Sequence, residues 1–163
     1  MEATHVTHTF EPVVDSASRI LILGSFPSVQ SRKNEFYYGH PQNRFWKVLS
    51  AVYQDRLPDT IETKKEFLHH NHIAVWDVIE SCEIVGSSDN SISQVKANDM
   101  HWILEQADIK AIYLNGAKAY QLFMEYCYDI DMPPAKKLPS TSPANAAWRL
   151  NRLVEAWDII KRD

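Results

Sequence analysis

Four short stretches of this chain are apolar almost without a break: Arg19-Ile20-Leu21-Ile22-Leu23-Gly24, Ile73-Ala74-Val75-Trp76-Asp77-Val78-Ile79, Lys110-Ala111-Ile112-Tyr113-Leu114-Asn115 and, more weakly, Lys136-Lys137-Leu138-Pro139. A strand with one face in water alternates apolar and polar residues, so continuous apolarity calls for strands covered on both faces. The intervening segments supply that cover. Phe45, Leu49 and Val52 share a helical face, as do Met100, Ile103, Leu104 and Ala107, then Tyr120, Phe123 and Met124, and last Leu150, Leu153, Trp157 and Ile160. Thr60 and Asp99 each stand just before an apolar-periodic stretch, as helix caps do. Strands alternating with helices predict an α/β fold, a three-layer α/β/α sandwich around a central four-stranded, mainly parallel sheet.

A chain of 163 residues can bury its apolar surface in one core. A single domain over residues 1–163 is expected, with residues 1–15 as a loosely docked arm. No apolar run approaches the roughly 20 residues that cross a bilayer, and Met1-Glu2-Ala3-Thr4-His5 lacks the basic and apolar parts of a signal peptide. The expectation is a monomer, cytoplasmic or nucleoid-associated, with no membrane contact. Cys82 and Cys127 are expected as buried, reduced thiols. His69, His70 and His72 fit a helix carboxyl end, where positive charge suits the dipole, better than a metal site. No metal and no cofactor is expected.

A net charge of −4 excludes a broad basic coat, so any nucleic-acid contact must come from local patches. Arg32 and Lys33, Arg44 and Lys47, Lys136 and Lys137, and Arg149 and Arg152 each lie beside an unusual loop. The first loop, Gly24-Ser25-Phe26-Pro27-Ser28, is neither a phosphate-cradling loop nor a nucleophile elbow. The second, Phe36-Tyr37-Tyr38-Gly39-His40-Pro41-Gln42-Asn43-Arg44-Phe45-Trp46, gathers rings, a carboxamide and an arginine. Phe45 and Trp46 read as core. The rest is poor core material and suits a pocket that stacks a nucleobase and hydrogen-bonds its edge. The third, Leu138-Pro139-Ser140-Thr141-Ser142-Pro143-Ala144-Asn145, is stiff and rich in hydroxyls. It suits a phosphate contact, or a cap on the last helix through Ser142 or Asn145. Loops beyond the carboxyl ends of parallel strands line the ligand crevice, so the first and third loops are expected to converge.

Together these three loops resemble the motifs of the uracil-DNA glycosylase superfamily, and most closely its hypoxanthine-DNA (DNA-deoxyinosine) glycosylase branch. The resemblance runs from about Phe10 to the last helix. It implies a DNA repair enzyme that flips a deaminated base, chiefly hypoxanthine, out of the duplex and hydrolyses its N-glycosidic bond. Relatives place a catalytic asparagine in the first motif, where this chain has Phe26; the branch instead implies Asn43 as the catalytic carboxamide. Tyr38 matches the ring that stacks on the base in mismatch-specific relatives, and Ala144 matches the position of the duplex-probing wedge. The base pocket is then expected from Gly24, Ser25, Phe26, Pro27, Tyr38, His40 and Asp77. DNA contacts are expected from Ser28, Arg44, Lys47, Ser140, Thr141, Ser142, Ala144 and Asn145.

Chemistry supports the assignment. Extruding a base costs a few kcal/mol, least where it is mispaired, and stacking returns roughly 1–3 kcal/mol per ring contact. Hypoxanthine offers acceptors at O6 and N7 and a donor at N1–H, and Asn43 carries both a donor and an acceptor. The motif loops contain no evident carboxylate nucleophile, which favours leaving-group stabilisation and a positioned water in a monofunctional hydrolysis. Two alternatives stand for Asn43, a helix cap or a catalytic group, and two for Asp77, a water ligand or a cap. Among functions, the rivals are a uracil or thymine mismatch glycosylase and a non-catalytic nucleic-acid-binding relative.

Overall fold

The computed structural model describes residues 2–8 and 10–163; Met1 and Thr9, both within the expected arm, lie outside the described residues. In chain order its elements are β1 (Thr4–Thr7), β2 (Ile20–Gly24), α1 (Val29–Asn34), α2 (Phe45–Tyr53), α3 (Ile61–His70), β3 (Ile73–Asp77), β4 (Ile79–Ile84), β5 (Ser93–Ala97), α4 (Met100–Leu104), β6 (Ala111–Asn115), α5 (Ala117–Tyr126), β7 (Ala135–Leu138) and α6 (Leu150–Trp157). The four apolar stretches form one sheet in the order β3-β2-β6-β7, parallel throughout. Every residue of β2 and β3 is buried, as the middle layer of a sandwich requires. Strand β7 closes one edge, with Lys136 and Lys137 exposed, charges that discourage a further strand from pairing.

Register matters more than strand count here. Gly24 lies beside Asp77, Leu23 beside Leu114, and Asn115 beside Leu138, so the four strands end at one level. The chain leaving that edge builds the site.

The expected strand over residues 73–79 is divided between two sheets. It leaves β3 after Asp77, and the amide of Val78 donates to the Gly24 carbonyl at 2.8 Å. From Ile79 it runs in β4, which joins β1 and β5 in a three-stranded antiparallel sheet absent from the sequence expectation. Both halves are apolar, so composition alone does not mark the break.

The expectation of a loosely docked arm is corrected by the same sheet. Residues 4–7 pair with β4, Val13 exchanges backbone hydrogen bonds with Val75 at 3.0 and 2.9 Å, and the Glu11 carbonyl accepts from the Tyr37 hydroxyl at 2.9 Å. An arm that satisfies a sheet edge has lost its freedom.

Helix starts follow local chemistry. Thr60 forms a capping box with Thr63 ahead of α3, and Asp99 accepts from the Trp102 amide ahead of α4. His69 and His70 occupy the last turn of α3. Phe45, Trp46, Val48, Leu49 and Val52 bury one face of α2, and Phe45 meets Trp157 of α6 edge-on at 6.0 Å. The Trp157 indole donates to the Pro139 carbonyl at 2.9 Å, which ties the last helix to the third loop.

Candidate active site

A cavity of about 310 Å³ opens at the carboxyl edge of the parallel sheet, where the first, second and third loops meet. Gly24, Ser25, Phe26, Pro27 and Ser28 all line it. Gly24 is required by crowding, since a Cβ there would lie 2.6 Å from Asp77 Oδ1 and 2.9 Å from the Tyr38 hydroxyl. The Phe26 ring is buried, edge-on to His8 at 6.2 Å with the Arg32 guanidinium over it at 5.6 Å. Arg32 also donates to the Gly86 carbonyl, which removes it from the expected basic patch. Ser28 caps α1 by accepting from the Ser31 amide at 3.1 Å.

Tyr38 has a left-handed backbone, φ 53°, a conformation that costs a bulky residue about 1–3 kcal/mol. The stack that holds it is on Phe45, at 3.8 Å and 19°. One ring face is thus taken, and Tyr38 is part of the cavity lining. The Tyr38 hydroxyl is buried with no hydrogen-bond partner among the described residues. Desolvation, with the Asp77 charge adding to it, holds its pKa far above the ordinary phenol value.

His40 lines the cavity and makes the turn before Asn43: its carbonyl accepts from the Asn43 amide and its Nδ1 from the Gln42 amide. Asn43 Oδ1 accepts from the Phe45 amide and from the Thr141 hydroxyl, both at 2.9 Å. A backbone N–H can only donate, so the amide cannot be flipped. The N-cap of α2 is Arg44, which makes no side-chain cap, and Asn43 holds the first helical amide from one position earlier. Its oxygen secures the start of α2, and its Nδ2 has no partner among the described residues.

Two expected DNA contacts are corrected. Thr141 is fully buried, and its hydroxyl also accepts from Asn115 Nδ2 at 3.0 Å; it positions Asn43 instead of meeting a phosphate. The Arg44 guanidinium donates to the carbonyls of Ser142 at 2.8 Å, Asn145 at 3.1 Å and Trp148. Loop carbonyls with no strand or helix partner attract it inward. Lys47 is exposed on α2, outside the cavity.

Asp77 is neither cap nor surface group. It is 3% exposed, and His8 Nε2 donates to its Oδ2 at 2.8 Å. In the third loop, Ser140 Oγ accepts from the Ser142 amide, Ser142 Oγ from the Ala144 amide, and Asn145 Nδ2 donates to the Ser140 carbonyl. The hydroxyls thus stiffen their own loop, and α6 has Arg149 at its N-cap with no side-chain cap. Ser140, Ser142 and Ala144 line the cavity, while Asn145 lies in an adjoining groove of about 670 Å³ with Lys118, Lys137 and Trp148.

Sequence reasoning missed His8, Asn115, Ser87 and Asp89. Asn115 carried a usable signal, a polar residue ending an apolar strand, as Asp77 does. Asp89 sits in a loop rich in Ser, Asp and Asn that looks like any surface turn. Elsewhere, Cys82 is buried and Cys127 half-buried, both free, and burial pushes each thiol up to about 11. Among the described residues no helix is long and apolar enough to cross a membrane.

The family model described as the uracil DNA glycosylase superfamily matches residues 11–161. A hypoxanthine DNA glycosylase of Methanosarcina acetivorans is 35% identical over 158 residues, 94% of this chain and 96% of that protein. Another, of Methanosarcina barkeri, is 34% identical over 112 residues, 68% of this chain and 71% of that protein. A solution NMR structure of a Methanosarcina acetivorans protein provisionally called a uracil DNA glycosylase superposes with a TM-score of 0.76 at 34% identity, covering 94% of both chains.

Proposed function

The chain belongs to the uracil DNA glycosylase superfamily, and from that premise we propose that it is a monofunctional DNA glycosylase excising deaminated bases, chiefly hypoxanthine. The carrying observation is the pinned amide of Asn43, whose oxygen is occupied and whose NH₂ is the part left to meet a ligand. In the same cavity Asp77 supplies a buried carboxylate, a pure acceptor when ionised. A donor and an acceptor suit the O6 and N1–H edge of hypoxanthine. Adenine presents the reverse, an amino group and a bare N1.

In the proposed reaction the extruded base stacks on Tyr38. As the bond from C1′ to N9 breaks, positive charge grows on the sugar and negative charge on the purine. Asn43 Nδ2–H donates to the purine as that charge develops, a stabilisation worth about 2.7–4 kcal/mol when one such donor is removed. A monomeric working unit over residues 1–163 is part of the proposal. A cytoplasmic or nucleoid-associated, cofactor-free enzyme belongs to the same proposal.

Duplexes carrying deoxyinosine, deoxyuridine or deoxyxanthosine, incubated with the protein and then treated with alkali, test it. Strand breaks at inosine are expected, because alkali cleaves where a base has been removed. Uracil shares the acceptor and N–H pattern, and its arm measures how far the pocket discriminates. Asn43→Ala is expected to slow release about 10²–10³-fold. Asn43→Asp keeps an oxygen for Phe45 and Thr141 but loses the donor, so it should fold and be inactive. Full activity in Asn43→Asp sinks the assignment of Asn43, and no breaks in any duplex sink the function.

A further inference from the structure

The base pocket and the adjoining groove share a border, and the glycosidic bond must cross it. A base held in the pocket is joined to a backbone that lies outside, where the groove carries Lys118 and Lys137. On the proposed function, the deoxyribose is assigned to this junction. The residues that line both cavities are Ser87, Asp89, Ser140, Ser142 and Ala144. Asp89 is the one ionisable group among them. Its Oδ1 accepts from the Ser25 hydroxyl at 2.9 Å, which orients the carboxylate, while Oδ2 has no partner among the described residues. Asp77, the other carboxylate of the pocket, is held deep by His8 and faces Gly24 and Tyr38.

Resting on the hydrolysis proposed above, we propose that Asp89 is a catalytic residue that faces the deoxyribose, takes a proton from the attacking water and stabilises the cationic sugar. The water oxygen bonds to C1′ as the C1′–N9 bond breaks. The electron pair of that bond leaves with the purine, which is stabilised by Asn43 and takes its proton from solvent. The proton lost by the water passes to Asp89 and then to solvent, so one water is consumed and one base and one abasic site are formed. Desolvation raises the Asp89 pKa from its ordinary carboxylate value, with the Ser25 hydrogen bond and Lys118 working against it, although the residue as a whole is exposed. A raised pKa makes the ionised form a stronger base. The sequence hid this group because it comes from the turn between β4 and β5, outside all three motif loops.

The test uses the full chain and two duplexes with abasic analogues, one carrying a neutral tetrahydrofuran and one a cationic pyrrolidine. A carboxylate at the sugar predicts that the unmodified protein binds the cationic analogue about a hundredfold more tightly. Asp89→Asn should abolish that preference, leave affinity for the neutral analogue unchanged, and lower single-turnover base release about 10²–10⁴-fold. Asp89→Glu, which keeps the charge, should retain the preference. Thermal melting establishes that each variant is folded. The proposal is overturned if the unmodified protein shows no cationic preference, or if Asp89→Asn keeps that preference. A retained rate in Asp89→Asn, on any base that the protein does excise, overturns it equally. If hypoxanthine is not excised while Asp89→Asn still loses the preference, the substrate assignment fails and Asp89 keeps its place.

Discussion

The Thr141 hydroxyl donates to Asn43 Oδ1 at 2.9 Å, joining side chains 98 positions apart in the pocket wall. That bond and the Phe45 amide together aim the Asn43 NH₂. Removing one of two donors loosens the amide without releasing it. Thr141→Val should therefore lower single-turnover release by about tenfold or more and cost about 1–3 kcal/mol, since Asn115 loses an acceptor as well. Thr141→Ser, which keeps the hydroxyl, should restore most of the rate. Equal rates for Val and Ser would show that the bond does not serve the reaction.

Gly24→Ala places a methyl group 2.6 Å from Asp77 Oδ1 and 2.9 Å from the Tyr38 hydroxyl. Both neighbours sit in the pocket wall, so relief must come from moving them. The expected cost is about 1–3 kcal/mol, with base release falling further than stability alone explains. Denaturant midpoints measured beside single-turnover rates separate the two effects.

His8→Ala tests whether the amino-terminal segment is structural. It leaves the buried Asp77 carboxyl without its donor, so stability should fall by about 1.5–3 kcal/mol. An unchanged melting temperature would mean that this segment is loosely attached after all.

Asp89→Asn carries a pH signature. Folding raises the Asp89 pKa, mainly by desolvation. The protonated form is thus the one that folding favours, and that contribution is lost as pH rises through the folded value. At neutral pH the ionised carboxylate opposes folding, and asparagine relieves it. The variant should melt higher than the parent at pH 7 to 8, and the gain should vanish below about pH 4, where the unfolded carboxyl is also protonated. A shift of the same size at every pH would contradict this origin.

The parallel sheet was legible because β2 and β3 are buried on both faces, and burial on both faces leaves no room for alternation. The antiparallel sheet was not. Thr4–Thr7 and Ser93–Ala97 are short and mostly exposed, and strands of that kind are decided by their partners. The site divides in the same way. Asn43, Tyr38, Gly24 and the third loop were visible, because rings, a carboxamide and paired prolines are unusual in one place. The roles of Thr141 and Arg44 were misjudged, because a hydroxyl or guanidinium reads alike in sequence whether it points inward or outward.

By itself, then, the order of residues determined the strands of the parallel sheet, the helices that cover it, and that the first and third unusual loops leave its carboxyl edge. Periodicity and turn chemistry act over a few residues and are written locally. Only the folded chain decided which atom of Asn43 is left to meet a ligand, that His8 and Asp77 share a hydrogen bond, and that Asp89 borders the pocket. Those outcomes join residues 64 to 98 positions apart; packing in three dimensions sets such contacts, and no local pattern encodes them.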